Sequence, residues 1–111
     1  MGSKDSIRVI IKKPGDKVGV PTHIVPSLKR LQEIVGGYIE YITVQKGLVI
    51  LCNEEGKILG LDPNFNISDG LGTLIDIVVG TVIAIGVDGE DFADIPISVD
   101  EWEKMLWKWG N

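Results

Sequence analysis

Apolar and polar positions alternate along much of this chain, and where the alternation stops a glycine or proline stands. Residues 7–12, IRVIIK, are β-branched and apolar between charged ends, which predicts a strand. KPGDK at 13–17 supplies turn chemistry, and VGVPTHIV reads as a second extended segment that Pro21 confines to an edge or a bulge. The two predict a hairpin. Ser27 is a good N-cap for a helix of about two turns, in which Leu28, Leu31, Ile34 and Val35 recur at helical spacing. Gly36 and Gly37 end it, because glycine takes the left-handed conformation at little cost.

YIEYITV at 38–44 and LVILCN at 48–53, joined by QKG, predict an antiparallel hairpin. The second of these is almost wholly apolar, as expected of a strand covered on both faces. The stretch 53–70, NEEGKILGLDPNFNISDG, is polar by contrast. Asn53 to Gly56 has the residues of a tight turn, after which Lys57 to Leu59 reads as a short returning strand. LIDIVVGTVIAIGVD follows, with strand propensity strongest over 81–87 and a break or bulge at Gly80. DGEDFAD is an acidic turn. The final segment is the clearest helix in the chain: Ser98 and Glu101 make a capping box, acids lead, lysines follow, and Gly110 stops it. Trp102, Met105, Leu106 and Trp109 share its apolar face, while Trp107 lies roughly 140° from Trp102. The expectation is an α+β fold, β-β-α-β-β-β-α, with a mostly antiparallel sheet of about five strands and two helices on one face. Residues 1–6 read as a disordered or appended N-terminus and 7–111 as a single compact domain.

Composition narrows the function more by exclusion than by indication. With 44% hydrophobic and 24% charged residues, the chain is an ordinary globular one. A net charge of −5 with a pI near 4.7 does not suit a nucleic-acid binder, which needs a phosphate-neutralising surface. The single cysteine, Cys52, excludes an intrachain disulfide, and its apolar flanks mark it as a core residue. No secretory leader is legible, and the longest apolar run falls short of the ~20 residues of a membrane span. A cytoplasmic protein without a membrane association is expected.

The residues hold no recognisable catalytic set. His23 is the only histidine and lies in an extended run, where it reads as a strand residue. No serine elbow, phosphate loop or metal-ligand spacing occurs. Asp62, Asn64, Asn66 and Ser68 alternate like the first calcium ligands of an EF-hand, but Ile67 and Thr73 stand where the glycine and the bidentate glutamate belong. The acids Asp88, Glu90, Asp91 and Asp94 read as a solvated turn, with a metal-dependent hydrolase as the third-ranked alternative. No metal and no cofactor are expected. Trp107, together with Trp109, is the candidate interface of a homo-oligomer.

LQEIVGGYIE (31–40), CNEEGKILGLDPN (52–64), DIVVGTVIAIG (76–86) and the acidic GEDF before the last helix, in that order, resemble domain-of-unknown-function family 3846. The family consists of small proteins common in phages, plasmids and Firmicute genomes. Its members often carry an arginine soon after the Pro-Asn pair; here Phe65 and Asn66 follow instead, so a phosphate-binding role is not transferred. The resemblance implies a mobile-element setting, in which small acidic proteins inhibit host defences, some by sequestering nucleotide second messengers. The leading expectation is therefore a non-catalytic homo-oligomer that binds a small molecule, with a nucleotide as the candidate. Asn53, Glu55, Lys57, Asn64, Asn66 and Asp76 are its expected ligand-binding residues, since asparagine amides suit base edges and ribose hydroxyls, and Asp76 is a lone charge in an apolar run. The alternative is a protein-interaction module or inhibitor of a host protein, using the terminal helix or a sheet edge.

Overall fold

The computed structural model describes residues 5–111; most of the segment expected to be a disordered or appended N-terminus thus lies outside the described residues. The chain runs β1 (Ile7–Lys12), β2 (Val20–Ile24), α1 (Leu28–Val35), β3 (Ile39–Gln45), β4 (Leu48–Asn53), β5 (Pro63–Ser68), β6 (Leu74–Val79), β7 (Val82–Asp88), β8 (Asp91–Ala93) and α2 (Val99–Lys108). The main sheet has the order β2-β1-β7-β4-β3, with β8 on β7, and β5 and β6 form a separate two-stranded sheet. Every pairing is antiparallel. The fold is α+β, as the pattern of the sequence indicates.

Pro21 lies on an outer strand, β2, where a missing N–H costs no ladder bond. β4 and β7 occupy the interior of the sheet, and all of β4 is buried. The alternation of side chains across these strands divides the core in two. Ile10, Leu48, Ile50, Cys52, Val82 and Ala84 face one side, where Phe65 and Ile67 of β5, Val78 of β6, and Trp102 and Leu106 of α2 cover them. Val9, Val49, Leu51, Ile83 and Ile85 face the other, where Leu31 and Val35 of α1 pack. The two helices therefore lie on opposite faces, which corrects the expectation of helices on one face. A strand that is apolar at successive positions needs cover on both sides, and one short helix cannot supply it.

The strands number eight among the described residues rather than about five, because 63–68, 74–79 and 91–93 also pair, and two turns differ. Lys57 to Leu59 is no strand: the Leu59 and Leu61 N–H groups donate back to Glu55 and Gly56, winding 54–60 into consecutive turns. The acidic turn is a β-hairpin in which Asp88 pairs with Asp91. Both helix starts match their sequence signals. The Ser27 hydroxyl accepts from the Arg30 N–H, and Ser98 with Glu101 forms a complete capping box.

Trp102 is fully buried and anchors α2. Its Nε1 donates to the Val18 carbonyl at 2.8 Å, so its one polar atom is satisfied. Phe65 meets Trp102 edge-on at 5.8 Å and stacks on Trp109 at 6.0 Å, tying the β5–β6 hairpin to the helix.

Candidate functional site

The polar bend after β4 is built from bonds within the chain. Asn53 is 6% exposed at the end of its strand. Its Nδ2 donates to the Val35 carbonyl at the end of α1, and its Oδ1 accepts the Glu55 N–H at 2.8 Å. Gly37 permits this contact, since a Cβ there would stand 2.9 Å from Asn53 Nδ2. The Gly56 N–H donates to the Asn53 carbonyl, closing the expected tight turn. Beyond it, Lys57 Nζ reaches Asp76 Oδ1 at 2.5 Å, and the same oxygen accepts the Ile77 N–H at 2.8 Å. The lone charge in β6 thus has its partner. The hydrogen bond to Asp76 raises the Lys57 pKa.

These contacts bring Asn53, Lys57 and Asp76 together around a cleft of about 70 Å³, with Glu40 and Cys52 in its wall. Small-molecule sites run to several hundred cubic ångströms, so this cleft admits a few waters and no nucleotide. Burial, and then the Glu40 and Asp76 carboxylates, push the Cys52 thiol up to about 11. It is an inert core group.

The other expected ligand residues lie elsewhere. Glu55 shares with Asn53 a second, shallow groove of about 340 Å³ beside Gln32, Tyr38 and Leu59. Asn64 belongs to an interior network: its Nδ2 donates to the carbonyls of Lys12 and Gly80, each at 2.8 Å, and its Oδ1 accepts Lys12 Nζ at 2.7 Å. That lysine is 3% exposed, donates also to the Asp16 carbonyl, and sits 5.6 Å from the Phe65 ring centre. Burial lowers its pKa, opposed by the charge of Asp16. Asn66 has its main chain clamped by Asn111, whose amide accepts the Asn66 N–H at 2.9 Å and donates to its carbonyl at 2.8 Å. Among the described residues, no buried side-chain nitrogen or oxygen lacks a partner.

The aromatic pair divides as well. Trp109 packs inward on Phe65 and Trp102, whereas Trp107 is 63% exposed. The acids after β7 do not converge either: Asp94 Oδ1 accepts the Arg8 N–H, and among the described residues no three of His, Cys, Asp and Glu could hold a metal ion. The calcium-like alternation of Asn64, Asn66 and Ser68 is the two-residue period of β5, with Phe65 and Ile67 pointing into the core.

The family model described as "Domain of unknown function (DUF3846)" matches residues 7–106. The chain belongs to that family. No curated protein matches this DUF3846 chain, and no solved structure does. No helix among its described residues is long and apolar enough to cross a membrane.

One feature of this DUF3846 domain was not anticipated from its residues. Large apolar side chains stand in solvent on the turn at 54–60 and along β6: Ile58 at 85%, Leu59, Leu74, Ile75 at 64% and Ile77, with Leu71 at the hairpin tip. Ile58 and Ile77 border the same cleft. The signal in the sequence was the density of leucine and isoleucine in KILGL and LGTLIDI, which exceeds what one inward face of a short strand can bury.

Proposed function

We propose that this protein is a non-catalytic docking module that binds another protein through the exposed apolar side chains of β6 and of the adjoining turn at 54–60. The observation that carries the reading is the exposed apolar group formed by Ile58, Leu59, Leu74, Ile75 and Ile77. Single exposed leucines are normal, but five large apolar side chains exposed on two short segments that meet where Ile58 and Ile77 border one cleft mark a contact region. Asn53, Lys57, Asp76 and Asn64 tie the turn and the hairpin to the rest of the chain, which supports a preformed surface there. A role in a mobile element, blocking a host factor, extends the proposal in keeping with the family resemblance.

The test is quantitative affinity capture from a host lysate with the wild-type chain and an Ile75→Ser/Ile77→Ser variant. Proteins retained by the wild type and lost by the variant, with the circular dichroism spectrum unchanged, support docking through this face. An identical set of retained proteins refutes it.

A small-molecule-binding homo-oligomer is the second reading, favoured by the exposed Trp107. The cleft at Lys57 and Asp76 is too small to enclose a nucleotide, and the groove at Asn53 and Glu55 is shallow, so an enclosed site on this reading would be completed by a second copy. Light scattering decides: a mass of 12.1 kDa, with no thermal shift from any nucleotide, sinks it.

A further inference from the structure

Resting on the docking reading, we infer that the partner supplies an extended segment that adds to the free edge of β3 as an antiparallel strand. Its acidic, apolar and basic residues, at alternate positions, enter the furrow between β3 and β6. Sheet edges invite such addition unless they are guarded, and most edges here are. β2 has Pro21, and β8 has only three residues. On β5 the Asn111 side chain takes the Asn66 N–H and carbonyl, and on β6 Asp76 Oδ1 takes the Ile77 N–H. β3 ends the main sheet with no proline, and its register is unbroken from Ile39 to Thr43. One step beyond the Ile39–Asn53 pair, the Glu54 N–H donates to the Tyr38 carbonyl. Antiparallel alternation then turns Glu40 and Ile42 toward β4, and the N–H and carbonyl groups of Ile39, Tyr41 and Thr43 outward.

The furrow follows this edge. The small cleft has Glu40 and Ile42 of β3 in one wall and Asp76 and Ile77 of β6 in the other. A hollow of about 240 Å³ shares Ile42 and Asp76 with it and adds Val44, Ile67, Ile75 and Trp109. Val44 and Trp109 also line a third hollow, of about 410 Å³, where Lys104 and Lys108 of α2 stand. Alternate side chains of an added strand point to one face, so successive ones meet these three places in turn.

Charge sets their order. The first cleft holds Glu40, Glu54 and Asp76 against Lys57 alone, which suits a basic residue opposite Glu40. The second is largely apolar and suits a β-branched residue opposite Ile42. In the third, the acid Glu101 is tied to the Ser98 N–H, which leaves two lysines for an acidic residue. The β3 strand of a second copy does not meet this order. Paired Ile39 against Thr43, its longest antiparallel register, it sets Glu40 opposite Ile42 and brings Tyr38, not an acid, to the lysines.

The probe is a labelled peptide, Thr-Glu-Thr-Val-Thr-Lys-Thr, measured by fluorescence anisotropy. One control exchanges its glutamate and lysine; the other is N-methylated at the two threonines beside the valine, whose N–H groups would face β3. The parent peptide should bind ~10-fold or more tighter than either control, and Lys104→Glu/Lys108→Glu should weaken it by a similar factor. Trp107→Ser should leave its binding unchanged. Equal binding of the parent and either control, indifference to the lysine changes, or no binding of the parent overturns the inference. Self-association that the parent peptide competes away overturns it too, because the occupant would then be a second copy. The docking reading fails separately, by unchanged capture with Ile75→Ser/Ile77→Ser.

Discussion

Asn64 commits its whole amide to the interior: both carbonyls it donates to and the ammonium it accepts from belong to this chain. Asn64→Leu removes an acceptor from a buried lysine and strands two carbonyls, which should cost about 3 kcal/mol in urea unfolding. A residue reserved for ligand would instead be replaceable with little loss, so this measurement separates the two roles. Cys52 gives a prediction with a pH sign. Its folded thiol keeps the proton up to about 11, against an ordinary 9.0. Between those values the unfolded chain binds fewer protons than the folded one, so stability should fall as pH rises from about 9 to about 11. Denaturant midpoints across that window should show the fall in the wild type and a smaller one in Cys52→Ala. Below pH 9 the native thiol should also resist a disulfide reagent that labels the unfolded chain readily. Burial of Cys52 was legible from VILCN, because an apolar run of that length belongs in a core. The commitment of Asn64 was not, since the lysine it meets lies 52 residues away.

Among the elements, those defined by local chemistry stand where the sequence places them. The capping box of α2 joins residues three apart, so its residues alone declare it. Ser98→Ala should cost about 1 kcal/mol and lower the melting temperature by about 4 °C. β7 depends instead on a distant neighbour. A Cβ at Gly86 would stand 2.0 Å from the carbonyl oxygen of Asp94, and the segment around it is pinned by Arg8 N–H to Asp94 Oδ1 and by Ile95 N–H to the Arg8 carbonyl. Gly86→Ala should therefore destabilise by about 3 kcal/mol or more, read by calorimetry. Nothing near Gly86 in the sequence announces that approach. β5 was legible in principle, because Asn64, Phe65, Asn66, Ile67 and Ser68 alternate as a strand does. Its asparagines and the preceding proline gave it the look of a loop, and packing on Trp102 and Trp109 decided otherwise.

At the scale of the whole molecule, the apolar group on the hairpin is exposed, so its removal should change function without changing the fold. Ile75→Ser/Ile77→Ser should keep stability within about 0.5 kcal/mol per site, since the site nearer the core is still 39% exposed. Binding of a hydrophobic dye to the native state should drop in the same variant, and an undiminished signal would show that the dye, and the contact surface, lie elsewhere. The sequence by itself determined what short-range physics controls: the α+β class, the antiparallel hairpins, both helix starts, the turn at Asn53 and the buried character of β4. It also held the clue that both faces of the sheet are covered, because β4 and β7 are apolar at successive positions. Only the tertiary structure decided which layer covers which face, turned most of the polar bend into internal ties, and left Leu74, Ile75 and Ile77 of β6 in solvent. Those outcomes depend on contacts between residues far apart in the chain, and their energies appear only when the layers meet.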